Sequence, residues 1–460
     1  MKKIILILVF FTSIMSYSQE HFAGLNTSNR VGVISISNNP AELVNMSNRI
    51  EIGIFSISAN VSNNKISLKD ALSNDDLEDK IFEGDTPVNL KVDGEVYGPS
   101  FGIKLKKLAF AITTKVTGRV DVVDIDPNLG SALTNSNIST LLTSTTISNK
   151  YNQRFSGTTW GEIGISGAAN IINTAKHKFN VGATIKLLFP DSYSNLGLDK
   201  FNGTITNSAG ELYLNNVSNV NLNIAYSATV AEDFTNINDF TKTFTGNLNG
   251  FAGDIGINYQ WRDQPEQNPK KNKNKYKLNT GITIRNMGSM TFKNGNNFSN
   301  NYVLNIQSTA ENPQGLNLSL FENVESLQTV ETILIAEGYL DKTVAKKSDF
   351  IVKLPTTFSA YADVKIFSKL FVTGYLQRRL NETSGNSQIT AQNLITITPR
   401  FTTGFLEVFV PITSNEISGL NTGFGFRLGG FFIGSSSAIT ALTNDSKQVD
   451  IYTGFRWGFL

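Results

Sequence analysis

The stretch Val449–Leu460, VDIYTGFRWGFL, carries two alternating kinds of side chain. In an extended chain Thr453, Phe455, Trp457 and Phe459 fall on one face, and Tyr452, Gly454, Arg456 and Gly458 on the other. The first face is apolar and ends in rings, while the second mixes glycine with a cation. Such a strand suits a boundary between hydrocarbon and a polar interior, with its terminal rings at the level of the lipid headgroups.

The same period of two recurs along the chain. Phe179, Val181, Ala183, Ile185 and Leu187 alternate with Asn180, Gly182, Thr184 and Lys186. Phe251, Gly253, Ile255, Ile257 and Tyr259 alternate with Ala252, Asp254, Gly256, Asn258 and Gln260. Tyr276, Leu278, Thr280, Ile282 and Ile284 are expected to face outward, opposite Lys277, Asn279, Gly281, Thr283 and Arg285. One such segment would also fit a soluble sandwich, so the number of segments and the rhythm of their links decide. Strands are expected near 50–62, 97–106, 108–117, 160–172, 177–188, 250–261, 275–286, 350–366, 370–380, 393–402, 404–412, 421–428, 430–436 and 449–460. Over the first eight links, long connections (63–96, 118–159, 189–249, 287–349) alternate with tight or shorter ones (106–107, 173–176, 262–274, 367–369). This rhythm predicts an all-β fold, a transmembrane antiparallel barrel of about 14 strands, with short turns and both chain ends on one side. Val220, Leu222, Ile224 and Tyr226 also alternate. They fit either an extra hairpin, raising the count to 16, or a strand standing above the membrane, and we favour 14.

Composition agrees. Of 460 residues 40% are hydrophobic and only 17% charged, with a net charge of +2 and a mean hydropathy of −0.11. That is less charged than a typical soluble domain, too polar for a bundle of membrane helices, and without the basic footprint that nucleic acid requires. The absence of cysteine removes disulfides, thiolate metal sites and an N-terminal lipid anchor on Cys. Two histidines remain, His21 at an expected unfolded start and His177 at a turn. Neither catalytic residues nor a cofactor is expected.

Lys2 and Lys3 precede the apolar run Ile4–Phe11, and small and polar residues follow to Glu20. This is the pattern of a secretory signal peptide, residues 1–19, cleaved near Gln19. Residues 20–49 are then an N-terminal plug segment and 50–460 the barrel. Leu68, Leu72, Leu77 and Ile81 after a Ser67 cap, and Phe321, Val324, Leu327, Val330 and Leu334, predict short helices in the outer loops.

Tyr452, Gly454, Trp457 and Phe459 resemble the C-terminal assembly signal of outer-membrane barrels, which implies recognition by barrel-assembly machinery. Asn39, Pro40 and Ala41, just before the first strand, resemble the segment that packs as a plug in FadL-type transporters and PorV-type barrels. Pro40 fixes φ and keeps the preceding residue extended, which suits a chain folded back into a lumen. Phe22-Ala23-Gly24-Leu25, Asn258-Tyr259-Gln260-Trp261-Arg262 with Lys270–Leu278, Tyr375–Leu380 and Phe432-Ile433-Gly434-Ser435 are similar to a family of Bacteroidota outer-membrane barrels known only by a domain of unknown function. The resemblance implies the outer membrane of a Gram-negative bacterium and its lipid as surroundings, and brings no substrate or catalytic residue.

Asp124, Asp126 and Asn128 begin like a calcium loop, but Gly130 is one place late and Asn135 stands where a Glu is needed, so no metal is expected. Lys270, Lys271, Lys273 and Lys275 read as a solvated turn. Arg285, Asp363, Arg378, Arg400, Glu407, Arg427 and Arg456 are expected on lumen faces, pairing with one another or lining a path. Two functions follow as expectations. One is a passive channel for small solutes, hydrophobic ones included, for which a gap in the wall or an apolar pocket under the plug would speak. The other is a barrel that anchors a protein of a secretion or gliding complex.

Overall fold

The computed structural model describes residues 21–459 except for 29, 31, 74–76, 135–143, 229–246, 263–275, 311, 323, 342–347 and 444. The expected signal peptide, the lysine run at 270–275 and Asn135 therefore lie outside the described residues.

The wall begins with β1 (Ile50–Asn63), which turns Ser56, Ser58, Asn60 and Ser62 inward and Ile52, Ile57 and Val61 outward. β2 (Val88–Tyr97) and β3 (Ser100–Lys104) share the second wall position, between β1 and β4 (Leu108–Ile125). β5 (Ser144–Ser148) lies outside the wall, which resumes with β6 (Asn152–Asn173) and β7 (His177–Asp199). β8 (Asn202–Ser208), β9 (Glu211–Asn215) and β10 (Val217–Tyr226) precede the wall strands β11 (Gly250–Trp261) and β12 (Leu278–Phe292). β13 (Phe298–Ile306) pairs with β10, and β14 (Leu316–Asn317) joins β5, β8 and β9 in a separate four-stranded sheet. β15 (Phe350–Lys353) and β16 (Thr357–Lys365) together flank β12. β17 (Leu370–Arg379) and β18 (Leu394–Thr402) follow, then β19 (Leu406–Phe409) with β20 (Ile412–Asn415), and β21 (Gly419–Thr422) with β22 (Phe424–Leu428). β23 (Phe431–Ser435) leads to β24 (Gln448–Phe459), which closes the ring on β1. The result is a closed antiparallel barrel of 14 wall positions. Three of the split positions break at a proline, Pro99, Pro355 or Pro411, where the missing N–H cannot serve the ladder.

Burial is inverted relative to a soluble protein. Ile185, Phe251, Ile282, Ile397, Ile451 and Trp457 are exposed on the outside, whereas Asn180, Thr184, Asn258, Thr373, Thr396 and Gln448 are buried within. Short turns at 105–107, 174–176, 366–369, 403–405 and 429–430 share one end, the turn end, with Ile50 and Phe459. The longer connections gather at the loop end.

Several expectations are corrected here. The first loop is shorter, because the second wall position begins at Val88 rather than 97. β4, β6 and β7 reach beyond their expected loop-end limits, β6 and β7 to 22 and 23 residues, because polar residues continue the ladder past the apolar belt. β10 adds no wall position. It pairs with the far end of β7, and Val220, Leu222, Ile224 and Tyr226 face the core of a folded cap rather than lipid. That cap also buries Leu129, Phe201, Leu304, Leu327 and Leu334. The loop helices form as Leu68–Leu72, Leu77–Ile81 and Leu327–Ala336, the first with the Ser67 cap, while Phe321 and Val324 precede the last helix rather than belonging to it. The D-x-D-x-N stretch opens a helix that was not expected, Pro127–Thr134, where Asp126 Oδ1 accepts from the N–H groups of Asn128 and Leu129 at 3.0 and 3.3 Å.

Candidate functional site

The interior is occupied by the N-terminal segment, which closes the turn end. Phe22 and Leu25 pack with Tyr97, Phe409, Phe432 and Tyr452, and Val33, Ile36, Leu43, Val44 and Met46 pack on Ala109, Ala111 and Ala168. Between these clusters the chain passes a row of charges. Arg400 donates to Asp363 at 2.7 Å, and Arg427 donates to both oxygens of Glu407 at 3.1 Å. Arg456 holds Glu51 at 2.9 Å, and Tyr276, turned inward rather than outward, donates to Asp363. The same groups grip the segment: Arg427 and Arg456 donate to the carbonyl of Arg30 at 3.0 and 2.7 Å, Ser28 donates to Glu407 at 2.9 Å, and Glu51 accepts from the Val33 N–H at 2.7 Å. Buried charges are retained only when paired and further hydrogen-bonded, and these are.

Asn39, Pro40 and Ala41 start a 3₁₀ helix, Pro40–Asn45, capped by Asn39 Oδ1 on the Ala41 N–H at 2.9 Å. They lie against three wall glycines. A Cβ on Gly182 would stand 2.5 Å from the Ala41 nitrogen, one on Gly281 2.7 Å from Asn39 Nδ2, and one on Gly256 inside contact distance of Asn39 Oδ1. Asn39 Nδ2 also donates to the Ile257 carbonyl at 2.9 Å, so it reads backbone that only a side-chain-free wall leaves reachable. Glu42, next in sequence, is buried. Its Oε1 accepts from Asn258 at 2.9 Å, Asn279 at 2.8 Å and the Tyr361 hydroxyl, and its Oε2 from Asn45 at 2.6 Å. Sequence reasoning missed Glu42, although its place directly after Asn-Pro-Ala was the available signal.

Above the segment lies a chamber of about 80 Å³. Alternating charges cross one side of it on five neighbouring wall strands. Lys115 pairs with Glu95 at 3.0 Å and Glu162 at 3.8 Å, and Lys186 with Glu162 at 3.6 Å and Asp254 at 3.0 Å. Arg285 reaches in from β12 and donates to the Ser37 carbonyl at 2.6 Å. His21 also lines the chamber, not an unfolded start. Its Nδ1 is 2.8 Å from Ser58 Oγ and its Nε2 2.8 Å from Asp93. These are the residue types of a nucleophilic triad; Ser58 is 2% exposed and is not among the residues that line the chamber. Among the described residues no group of three His, Cys, Asp or Glu could hold a metal ion.

The connection between β17 and β18, residues 380–393, folds into the lumen and roofs the chamber. Gln388–Gln392 are buried there, with Ile389 set among Trp160, Leu188, Tyr193 and Leu354. Lys91 and Arg119, across the lumen, donate to the Thr390 carbonyl at 2.8 and 2.9 Å, and Tyr193 to that of Asn386 at 2.8 Å. In the wall, Gly98–Pro99 opposite the Ile54 bulge leaves a notch of about 20 Å³. A cavity needs about 10–15 Å³ of such space to hold one water, so the notch has room for a water and little more.

Of the seven expected lumen charges, Arg285, Asp363, Arg400, Glu407, Arg427 and Arg456 lie inside. Arg378 does not. Phe371, Thr373, Tyr375 and Gln377 face in, so strand parity turns Arg378 out, and it is exposed at the loop end. On β24, Tyr452 and Gly454 face in and Trp457 and Phe459 face out. Tyr452 donates to the Ala23 carbonyl at 2.6 Å.

The profile of a family of unknown function, DUF5723, matches residues 40–436. No curated protein is similar in sequence. Solved barrels match along nearly the whole chain at low identity. The deltaS2 mutant of the TodX monoaromatic hydrocarbon channel shares 8% identity, over 94% of this chain and 95% of that one, with a TM-score of 0.47. The Pseudomonas putida toluene transporter TodX shares 9%, over 96% and 98%, with a TM-score of 0.41. A Pseudomonas aeruginosa FadL homologue shares 8%, over 96% and 98%, also at 0.41.

Proposed function

The chain belongs to DUF5723, a family of unknown function, and on that footing we propose that it is an outer-membrane channel admitting small polar solutes past a luminal plug. In this reading the chain is exported by a signal peptide at 1–19, its last strand is taken up by barrel-assembly machinery, and the turn end faces the periplasm. The observation that carries the reading is the luminal chamber with its ladder Glu95–Lys115–Glu162–Lys186–Asp254. An interior needed only for stability could be packed with apolar groups, whereas paired charges around open space keep that space wet. The same lining argues against an apolar solute, the guest that the plug resemblance suggested, because such a guest would strip water from charges without replacing their hydrogen bonds.

The test is liposome swelling in glycine, with potassium chloride current in planar bilayers. Swelling faster than in empty liposomes is expected. Lys115→Met with Lys186→Met should shift the reversal potential toward cations, because three carboxylates then face the chamber without their lysines. No swelling and no current from correctly folded barrel would reject the channel.

The cap favours a second reading, in which the barrel anchors a protein partner of a secretion or gliding complex. A loop excursion with its own core is more than a barrel needs to close. Mild extraction from native membranes, followed by affinity purification, would recover a stoichiometric partner on this reading and the chain alone otherwise.

A further inference from the structure

The roof of the chamber is one segment thick. Ala391 lines the chamber from above, and it also lines a cleft of about 210 Å³ on the loop side, together with Thr383, Thr390, Lys91, Asp121 and Glu416. We propose that Gln388–Gln392 is the outer gate of the lumen, and that its displacement joins cleft to chamber at Ala391. The proposal rests on the channel reading and assigns the moving part within it.

The two closures of the lumen are fastened differently. The N-terminal segment carries its own buried groups into the wall, Glu42 among Asn258, Asn279 and Tyr361 and His21 on Asp93, and adds a glycine seat and two apolar clusters. The strap is held chiefly through its carbonyl oxygens: Lys91 and Arg119 on Thr390, Arg154 on Gly385, Asn152 on Ser384 at 2.8 Å and Tyr193 on Asn386. Ile389 is its one apolar anchor among the described clusters. Lys91 lines the cleft and Arg119 the chamber, so water in either space can take the place of the strap carbonyls they hold. Lifting the N-terminal segment would instead draw the buried Glu42 carboxylate away from three donors and open both apolar clusters to water. Of the two barriers the strap is therefore the one that moves within an intact barrel. Gly385 and the small residues Thr383, Ser384 and Ser387 at its exposed bend provide the hinge.

The chain has no cysteine, so two can be added without background. Arg119→Cys with Thr390→Cys, joined by a short cleavable bis-maleimide, ties the strap to the far wall in place of the arginine. The readout is potassium chloride current through the full-length barrel, with heat-shifted gel mobility confirming that each variant is folded. A tenfold or larger drop on cross-linking, recovered on cleavage, supports the gate, as does a raised current when Gln388–Gln392 are replaced by two glycines. A current that neither change alters overturns the gate and leaves the channel standing. Silence in the wild type, the cleaved variant and the strap replacement alike overturns the channel reading and the gate with it.

Discussion

Arg456, near the end of the last wall strand, donates to both carboxylate oxygens of Glu51, near the start of the first, at 3.0 and 2.9 Å. The pair spans the line along which β24 closes on β1. Its members also hold the Arg30 carbonyl and the Val33 N–H, so closing the ring and seating the N-terminal segment share one anchor. Glu51→Gln or Arg456→Met alone should cost about 3–5 kcal/mol, since each leaves a buried charge unmatched. Glu51→Leu with Arg456→Met together should cost clearly less than the sum. The urea midpoint of unfolding in lipid vesicles measures all of them.

Gly182, Gly256 and Gly281 form the seat of Asn39–Pro40–Ala41. At Gly182 the obstructing atoms are backbone, which cannot rotate away. Gly182→Val should therefore lift the segment off the wall at a cost of about 1–3 kcal/mol. Residues 32–46 should become open to protease while the barrel stays folded. Gly374→Ala is the control, because its new methyl meets nothing within 4 Å.

Much of this fold can be read from the amino acids, because lipid sets the parity of each strand: Phe251, Ile255 and Ile257 on one side and Asp254 and Asn258 on the other leave a single choice of facing. Parity fails where the belt ends. Arg378 sits past the last lipid-facing residues of β17, where either face meets water and its charge says nothing of direction. Val220–Tyr226 carry the signature of a wall strand, but their apolar side is buried by a cap whose members, from Leu129 to Leu334, are scattered over two hundred residues. The inner network was legible only in part. Arg285, Asp363 and Arg400 stood out as charges on apolar strands, whereas Asn258, Asn279 and Tyr361 look like ordinary polar positions until Glu42 arrives among them.

The loop helix Leu68–Leu72 gives a test by pH. Its capping box is complete, with Asp70 N–H donating to Ser67 Oγ at 3.1 Å and Ser67 N–H to Asp70 at 2.9 Å. Lys80, 2.8 Å away, and then Ser67 hold the Asp70 carboxyl well below the usual carboxylate range. A depressed folded value means that the stabilisation is fully present above the ordinary aspartate pKa and is lost only as pH falls through the depressed one. Amide exchange over 67–73 should therefore stay slow from neutral pH down through the ordinary carboxylate range. Asp70→Asn should speed it at neutral pH and remove its acid dependence. Protection already lost near the ordinary aspartate pKa would contradict the capping geometry.

The central claim is that hydrocarbon bathes the outer face of these strands, and β7 tests it most directly. Ala183, Ile185 and Leu187 point outward, Ile185 at 61% exposure, while Thr184 and Lys186 point into the lumen. Single cysteines at 183 to 187, spin-labelled in lipid vesicles, should alternate in collision with dissolved oxygen and with a water-soluble nickel chelate. Positions 183, 185 and 187 should favour oxygen, as lipid-facing sites do, and positions 184 and 186 should not. Nickel contact at 183, 185 and 187 equal to that of a loop position would contradict the account.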